Sequence, residues 1–313
     1  MKIINQSRTV AQLALLFLTA GSVLAEVPEI RICEYHDNKD AAISLTFDDG
    51  LLDHATVVQP MLKESGIRAT FFIVPKYTDM ALKQRAHPSK RQFASWEQIR
   101  SIAADGHEMG NHSSTHANLK NASEELLQHE VVDALSYIEA QTGQRPQTFC
   151  FSGNSRDQRA LEFVLQHHVN ARTYQYGIGR NFEIDRFSAW LTGQIQKRQW
   201  SVLMIHSILD DYNGYDPLPD EEKDFQDLLD QLNDCRDDLW IDTFAAVSKY
   251  VALRDSASIQ LLNGGTQYVV KSDLDAAVYD VPLTVEVRQG EQSIYQSVSI
   301  NEVIDLPQAG AQR

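Results

Sequence analysis

A chain of 313 residues, 43% apolar and 23% charged, is long enough for one large domain or for a medium domain with an appendage, and its composition excludes a disordered or fibrous polypeptide. A formal net charge of −15 argues against nucleic acid or an anionic membrane surface as the partner. The three cysteines, Cys33, Cys150 and Cys235, include no CxxC pair. That removes the usual thiolate zinc site and leaves buried thiols or a single bridge of unassigned pairing.

Lys2 and Arg8 precede the apolar run Leu13–Leu18, and the small-residue pattern Val23-Leu24-Ala25 follows. This predicts an export leader over 1–25, cut after Ala25, with an apolar run too short to span a membrane. The chain is therefore expected in the periplasm or outside the cell.

Short apolar runs then alternate with amphipathic stretches. Strands are predicted over 42–47, 69–74, 107–111, 148–151, 169–173 and 201–206. Helices are predicted between them, over 54–65 with Gly66 as the stop and over 95–104 with the box Ser95…Gln98. Further helices are expected over 123–142 up to Gly143, and over 157–167, 220–234 and 243–254. This alternation argues for a parallel sheet covered by helices, open or closed into a barrel. From 258 to 306 helical spacing gives way to short β runs at 258–262, 267–270, 283–288 and 294–300, with turns at Gly264-Gly265 and Gly290. The organisation read here is a leader (1–25), a catalytic domain (26–254) and a small all-β appendage (255–313).

Chemistry in parallel α/β folds gathers at the carboxyl ends of strands. The first strand ends Thr46-Phe47-Asp48-Asp49-Gly50. Two adjacent carboxylates at a core edge repel one another and resist desolvation, so a nearby cation is expected, with Gly50 supplying the bend that lets both reach one place. The third strand runs into His112-Ser113-Ser114-Thr115-His116. Spacing of i, i+4 puts both imidazoles on one face if the segment makes a helical turn. Two His and a carboxylate form a common set for a divalent metal, with positions left for water. The strand Leu203-Met204-Ile205 ends in His206, a candidate proton donor beside such a site. The histidines at 107, 129, 167 and 168 read as structural or surface residues. Tyr212 and Tyr215 follow His206 on a loop where they can stack on sugar rings or simply pack.

"TFDDG", "HSSTH" and a strand ending in His, in this order and separation, resemble the polysaccharide deacetylase family with the NodB homology domain, carbohydrate esterase family 4. "IRATFFIV", "GHEMGNHSSTH" and "WIDTFAAVSKYV" extend the likeness from about residue 40 to 254. The resemblance implies a distorted (β/α) barrel and metal-dependent removal of acetyl groups from sugars. Carried over by position, Asp49, His112 and His116 resemble the metal ligands, Asp48 the general base and His206 the general acid. The divalent ion implied is zinc first, with cobalt, nickel or manganese as substitutes. The implied substrate is an acetylated carbohydrate, an N-acetylglucosamine-type one ahead of an O-acetyl, xylan-type one; a non-catalytic sugar-binding relative is the alternative from another class. The family's Arg-x-x-Pro segment is replaced by Thr148-Phe149-Cys150-Phe151-Ser152-Gly153, and its Asp-x-x-Trp segment is not evident. Arg172, at the end of "VNART", is the candidate to supply the missing positive charge.

Overall fold

The structure is a computed structural model that describes residues 28–84, 91–210 and 215–307. The expected leader and Tyr212 lie outside the described residues.

The strands, in chain order, are β1 (Glu29–Ile32), β2 (Ala41–Asp48), β3 (Thr70–Ile73), β4 (Glu108–Asn111), β5 (Thr148–Cys150), β6 (Asn170–Arg172), β7 (Tyr176–Ile178), β8 (Trp200–Ile205), β9 (Leu239–Ile241), β10 (Ser258–Leu262), β11 (Gln267–Lys271), β12 (Leu283–Gln289), β13 (Gln292–Val298) and β14 (Val303–Asp305). Strands β2 to β9 form one sheet of order β6-β5-β4-β3-β2-β8-β7, with β9 against the start of β2. Every pairing in it is parallel. Its two ends, β6 and β7, do not pair, so the barrel stays open there. All eight residues of β2 are buried, the pattern of a central parallel strand with both faces covered.

Helices return the chain between strands, and their ends follow local chemistry. Ser95 makes the full capping box with Gln98. Ser123, Asp157 and Thr243 each accept a backbone N–H of the first turn. Gly66 and Gly143 stop their helices in the left-handed region. Two helices, Pro75–Gln84 and Ile184–Gln196, were not expected; the second starts after Glu183 without a side-chain cap and stops without a glycine, so apart from Asp185 in its first turn it lacks the usual boundary signals. The core packs Leu45, Phe47, Phe71 and Ile73 against Phe225 and Leu229 of the helix Glu221–Asp234, with Phe47 and Phe71 stacked at 5.0 Å.

The all-β portion is two three-stranded antiparallel sheets, β1-β12-β13 and β10-β11-β14, around Tyr268, Val270, Val285, Val287 and Val298. The pairing of β1 with β12 brings Glu29–Ile32, which the sequence reading left with the catalytic domain, into this portion. Tyr250 and Leu253, from the last barrel helix, complete its core. Cys33, Cys150 and Cys235 are all free thiols. Among the described residues no helix is long and apolar enough to cross a membrane.

Candidate active site

Register carries the key side chains to one rim. Phe47 of β2 pairs with Ile205 of β8, so Asp48 and His206 leave adjacent strands at the same height. Ile73 pairs with Asn111, and Cys150 with Arg172, which brings His112 and Arg172 to the same carboxyl end. Beyond Asp48 the chain turns sharply: Asp49 and Gly50 both have left-handed backbones, φ 74° and 66°. A strand alternates its side chains; this bend is what aims two consecutive carboxylates into one pocket of about 340 Å³.

The two carboxylates have different surroundings. Arg172 grips Asp48 with both ends of its guanidinium, Nη1 to Oδ1 at 2.8 Å and Nη2 to Oδ2 at 2.5 Å. Nη1 also donates to Thr46 Oγ1, and Nη2 lies 2.9 Å from the Cys150 sulfur. Both partners are 2% exposed. Burial works to raise the Asp48 carboxyl, but the Arg172 guanidinium, helped by His112 and His206, outweighs it and holds the group well below the usual carboxylate range.

Asp49 instead faces the histidines. Its Oδ1 lies 3.4 Å from His116 Nε2 and 3.7 Å from His112 Nε2. That oxygen is buried and accepts no hydrogen bond. His112 Nδ1 is 2.8 Å from the Cys150 carbonyl oxygen; a carbonyl only accepts, so the proton sits on Nδ1 and the Nε2 lone pair faces Asp49. Three donors about 2.0–2.2 Å from a tetrahedral ion lie roughly 3.3–3.6 Å from one another. The residues present therefore fit a divalent ion, and the orphaned Asp49 oxygen is the mark of it. Asp48, His112 and Cys150 form an overlapping set of metal-competent atoms, but Asp48 is already committed to Arg172.

The histidine segment is not the helical turn its spacing predicts. Ser113 and His116 are left-handed, φ 65° and 64°. Side-chain bonds shape the loop instead. Asn111 accepts the Ser113 N–H and donates to the Val131 carbonyl. Glu130, buried, takes both the N–H and the hydroxyl of Thr115 at 2.8 Å. Sequence reasoning missed Glu130, which lies among helical residues with nothing to set it apart from a solvated one.

His206 Nε2 stands 3.9 Å from Asp48 Oδ2 and lines the same pocket. Burial pushes its imidazole below the ordinary range, against the pull of Asp48 and Asp49. The Tyr215 ring meets it edge-on at 4.4 Å. Arg91, also missed, lies 4.9 Å over that ring and 3.7 Å from Asp49 Oδ2. The structure thus brings Asp48, Asp49, His112, His116, Arg172 and His206 together. Of the other histidines, His107 and His168 are buried, and His129 is exposed.

A family profile described as polysaccharide deacetylase matches residues 35–171. A peptidoglycan-N-acetylglucosamine deacetylase of Bacillus cereus is 27% identical over 120 residues, 38% of this chain and 46% of that protein. A chitooligosaccharide deacetylase of Rhizobium leguminosarum bv. trifolii is 32% identical over 93 residues, 29% of this chain and 37% of that protein. A gellan lyase of a Bacillus species is 22% identical over 299 residues, 83% of this chain but 11% of that protein. The chain thus spans less than half the length of each of these curated relatives. Among solved structures, a Mycobacterium smegmatis protein assigned as a polysaccharide deacetylase superposes with a TM-score of 0.55 at 16% identity, over 74% of this chain and 97% of that one, a likeness of fold.

Proposed function

Through residues 35–171 this chain belongs to the polysaccharide deacetylase family, and from that premise we propose that it is a metal-dependent hydrolase removing acetyl groups from a carbohydrate, N-acetyl groups of an N-acetylglucosamine-type chain first. The observation that carries the reading is the convergence of Asp49 Oδ1, His112 Nε2 and His116 Nε2 beside a second carboxylate held out of that set by Arg172. Asp49, His112 and His116 would hold the ion, zinc by the two-imidazole, one-carboxylate chemistry. When bound, it supplies positive charge that polarises the acetyl carbonyl and acidifies water.

The remaining work falls to the chain's own residues. Asp48 accepts a proton from the attacking water, and the two-pronged grip of Arg172 fixes the direction in which its lone pairs point. His206, whose Nε2 lies 3.9 Å from Asp48 Oδ2, donates a proton to the departing amine or alcohol. Tyr215, at the mouth, offers a face to a sugar ring. The catalytic portion is proposed as residues 26–254, exported by the leader over 1–25.

The test is acetate release from chitooligosaccharide, peptidoglycan and acetylxylan by zinc-loaded protein, with metal content measured in parallel. Release from the first two supports the amide reading. Release from acetylxylan alone moves the assignment to an O-acetyl esterase. A loaded protein that releases acetate from none overturns the hydrolase reading.

A further inference from the structure

The segment leaving β2 carries Asp48 and Asp49, and four and five residues past Asp49 it carries two more buried polar groups, Asp53 and His54, 2% and 0% exposed. Neither has a role in the chemistry above. Asp53 Oδ2 accepts the backbone N–H groups of Ile208 at 2.6 Å and Leu209 at 3.2 Å. His54 Nε2 lies 2.6 Å from the carbonyl oxygen of His206. The acceptor is a carbonyl, so Nε2 is the protonated nitrogen and donates. The imidazole stands edge-on to Phe47 and Phe71, at 5.4 and 5.7 Å, which leaves it little freedom to turn.

These bonds fall where the sheet stops holding the chain. Pairing of β8 with β2 ends at Ile205, one residue before His206. Past that point the backbone is fixed by His54 at the His206 carbonyl and by Asp53 at the N–H groups of Ile208 and Leu209. On the far side Ser207 bonds to the Tyr215 carbonyl through N–H and hydroxyl. The arrangement has a cost: Asp53 Oδ1 and His54 Nδ1 are buried without partners, a penalty that an apolar pair filling the same space would avoid. Buried polar groups so placed serve to select one backbone geometry over its neighbours.

We propose that Asp53 and His54 are positioning residues for His206. The stretch Leu45–His54 then does two jobs: its first turn supplies the base and a metal carboxylate, and its second clamps the backbone that carries the proton donor. Distance between base and acid is set by one short segment rather than by two independent loops. The inference rests on the reading of His206 as the acid, so its test includes a measurement that does not depend on activity.

In full-length, zinc-loaded protein, His54→Leu is expected to lower kcat by roughly ten- to a hundredfold, the scale of a small misplacement of a reacting group, with KM and zinc content unchanged. His54→Gln, which keeps a side-chain N–H, is expected to recover most of that loss. In spectra of protein labelled with ¹⁵N-histidine, the His206 ring should give one sharp set of signals in the wild type and doubled or broadened signals in His54→Leu. Asp53→Asn keeps one acceptor oxygen and the fold, and is expected to show the same signature in weaker form. The proposal is overturned by a single, unshifted His206 signal set in both His54→Leu and Asp53→Asn, or by a kcat loss that His54→Gln does not relieve. Should His54→Leu not fold, Asp53→Asn decides by the same spectra. Wild-type protein that releases no acetate while its variants still disturb the His206 ring would sink the hydrolase reading and leave the clamp standing.

Discussion

A buried carboxylate is costly unless a cation goes with it, and Asp48 and Asp49 meet that demand in different ways. Asp48 has Arg172, bonded at both oxygens, while Asp49 has two imidazoles and an oxygen with no donor. The difference predicts different failures. Asp48→Asn keeps the shape and the Arg172 neighbour but cannot accept the water's proton; zinc content should stay at the wild-type level while kcat drops by about 10² or more. An Asp48→Asn protein with normal turnover would show the base to be elsewhere. Asp48, Asp49, His112 and His206 could be singled out in the sequence because each lies at or just past a strand end, and His116 because it closes the short motif that His112 opens. Arg172 was legible only as a candidate: β5 has Cys150 where the family has its Arg-x-x-Pro segment, and the guanidinium arrives from the next strand, across the Cys150–Arg172 pairing. Glu130 and Arg91 had no signal, since a charged residue in a helix or loop looks solvated until its neighbours are known.

Among the elements, the opposite end of the barrel shows how the strands are locked. Glu108, at the start of β4 and buried, accepts from Thr70 Oγ1 of β3 at 2.7 Å, from Thr148 Oγ1 of β5 at 2.5 Å and from the Ala245 N–H of the last barrel helix at 2.8 Å. Three strands and a helix N-terminus share one carboxylate. Glu108→Ala strands these buried donors and should destabilise the protein by about 3 kcal/mol or more, read from urea unfolding. Its kcat, measured where the variant is still folded, should hold, because Glu108 is at the face away from the chemistry. Helices were legible where a cap or a stop glycine marked them, as at Ser95, Ser123, Gly66 and Gly143. The three-residue strands β7 and β9 escaped notice, being too short to display a period. The helical turn expected for His112–His116 failed for a related reason: i, i+4 spacing fits a helix, but Asn111 and Glu130 offer the backbone better partners in a loop.

For the molecule as a whole, the all-β portion is sewn to the barrel from both ends of the chain. Beta strand β1 pairs with β12, Tyr250 donates to the Cys33 carbonyl at 3.0 Å, and Tyr250 and Leu253 are fully buried beneath the sheets. A fragment ending at residue 256 would expose these side chains and leave β1 unpaired. It should melt several degrees below the full chain, or aggregate, and equal melting temperatures by circular dichroism would show the portion to be a mere passenger. Acid should weaken the whole fold. Burial pushes His107 and His168 down to about 4, against an unfolded value near 6.5. Between these values the unfolded chain binds more protons, so stability rises with pH and is lost as pH falls through that window. Urea unfolding at pH 7 and pH 5 should differ by on the order of 2 kcal/mol for each of the two groups.

The sequence by itself determined most of the barrel's alternation of strands and helices, the strand ends that carry the carboxylates and histidines, and the likeness to the polysaccharide deacetylases. These are written in local periodicity, caps and short motifs, which need no knowledge of what lies across the sheet. Only the tertiary structure decided that Arg172 pairs with Asp48, that Glu130 shapes the histidine loop, that Asp53 and His54 hold the backbone at His206, and that the first strand closes the last sheet. Each of those depends on residues far apart in the chain meeting in a buried space, where an unpaired charge or N–H is expensive enough to fix its partner.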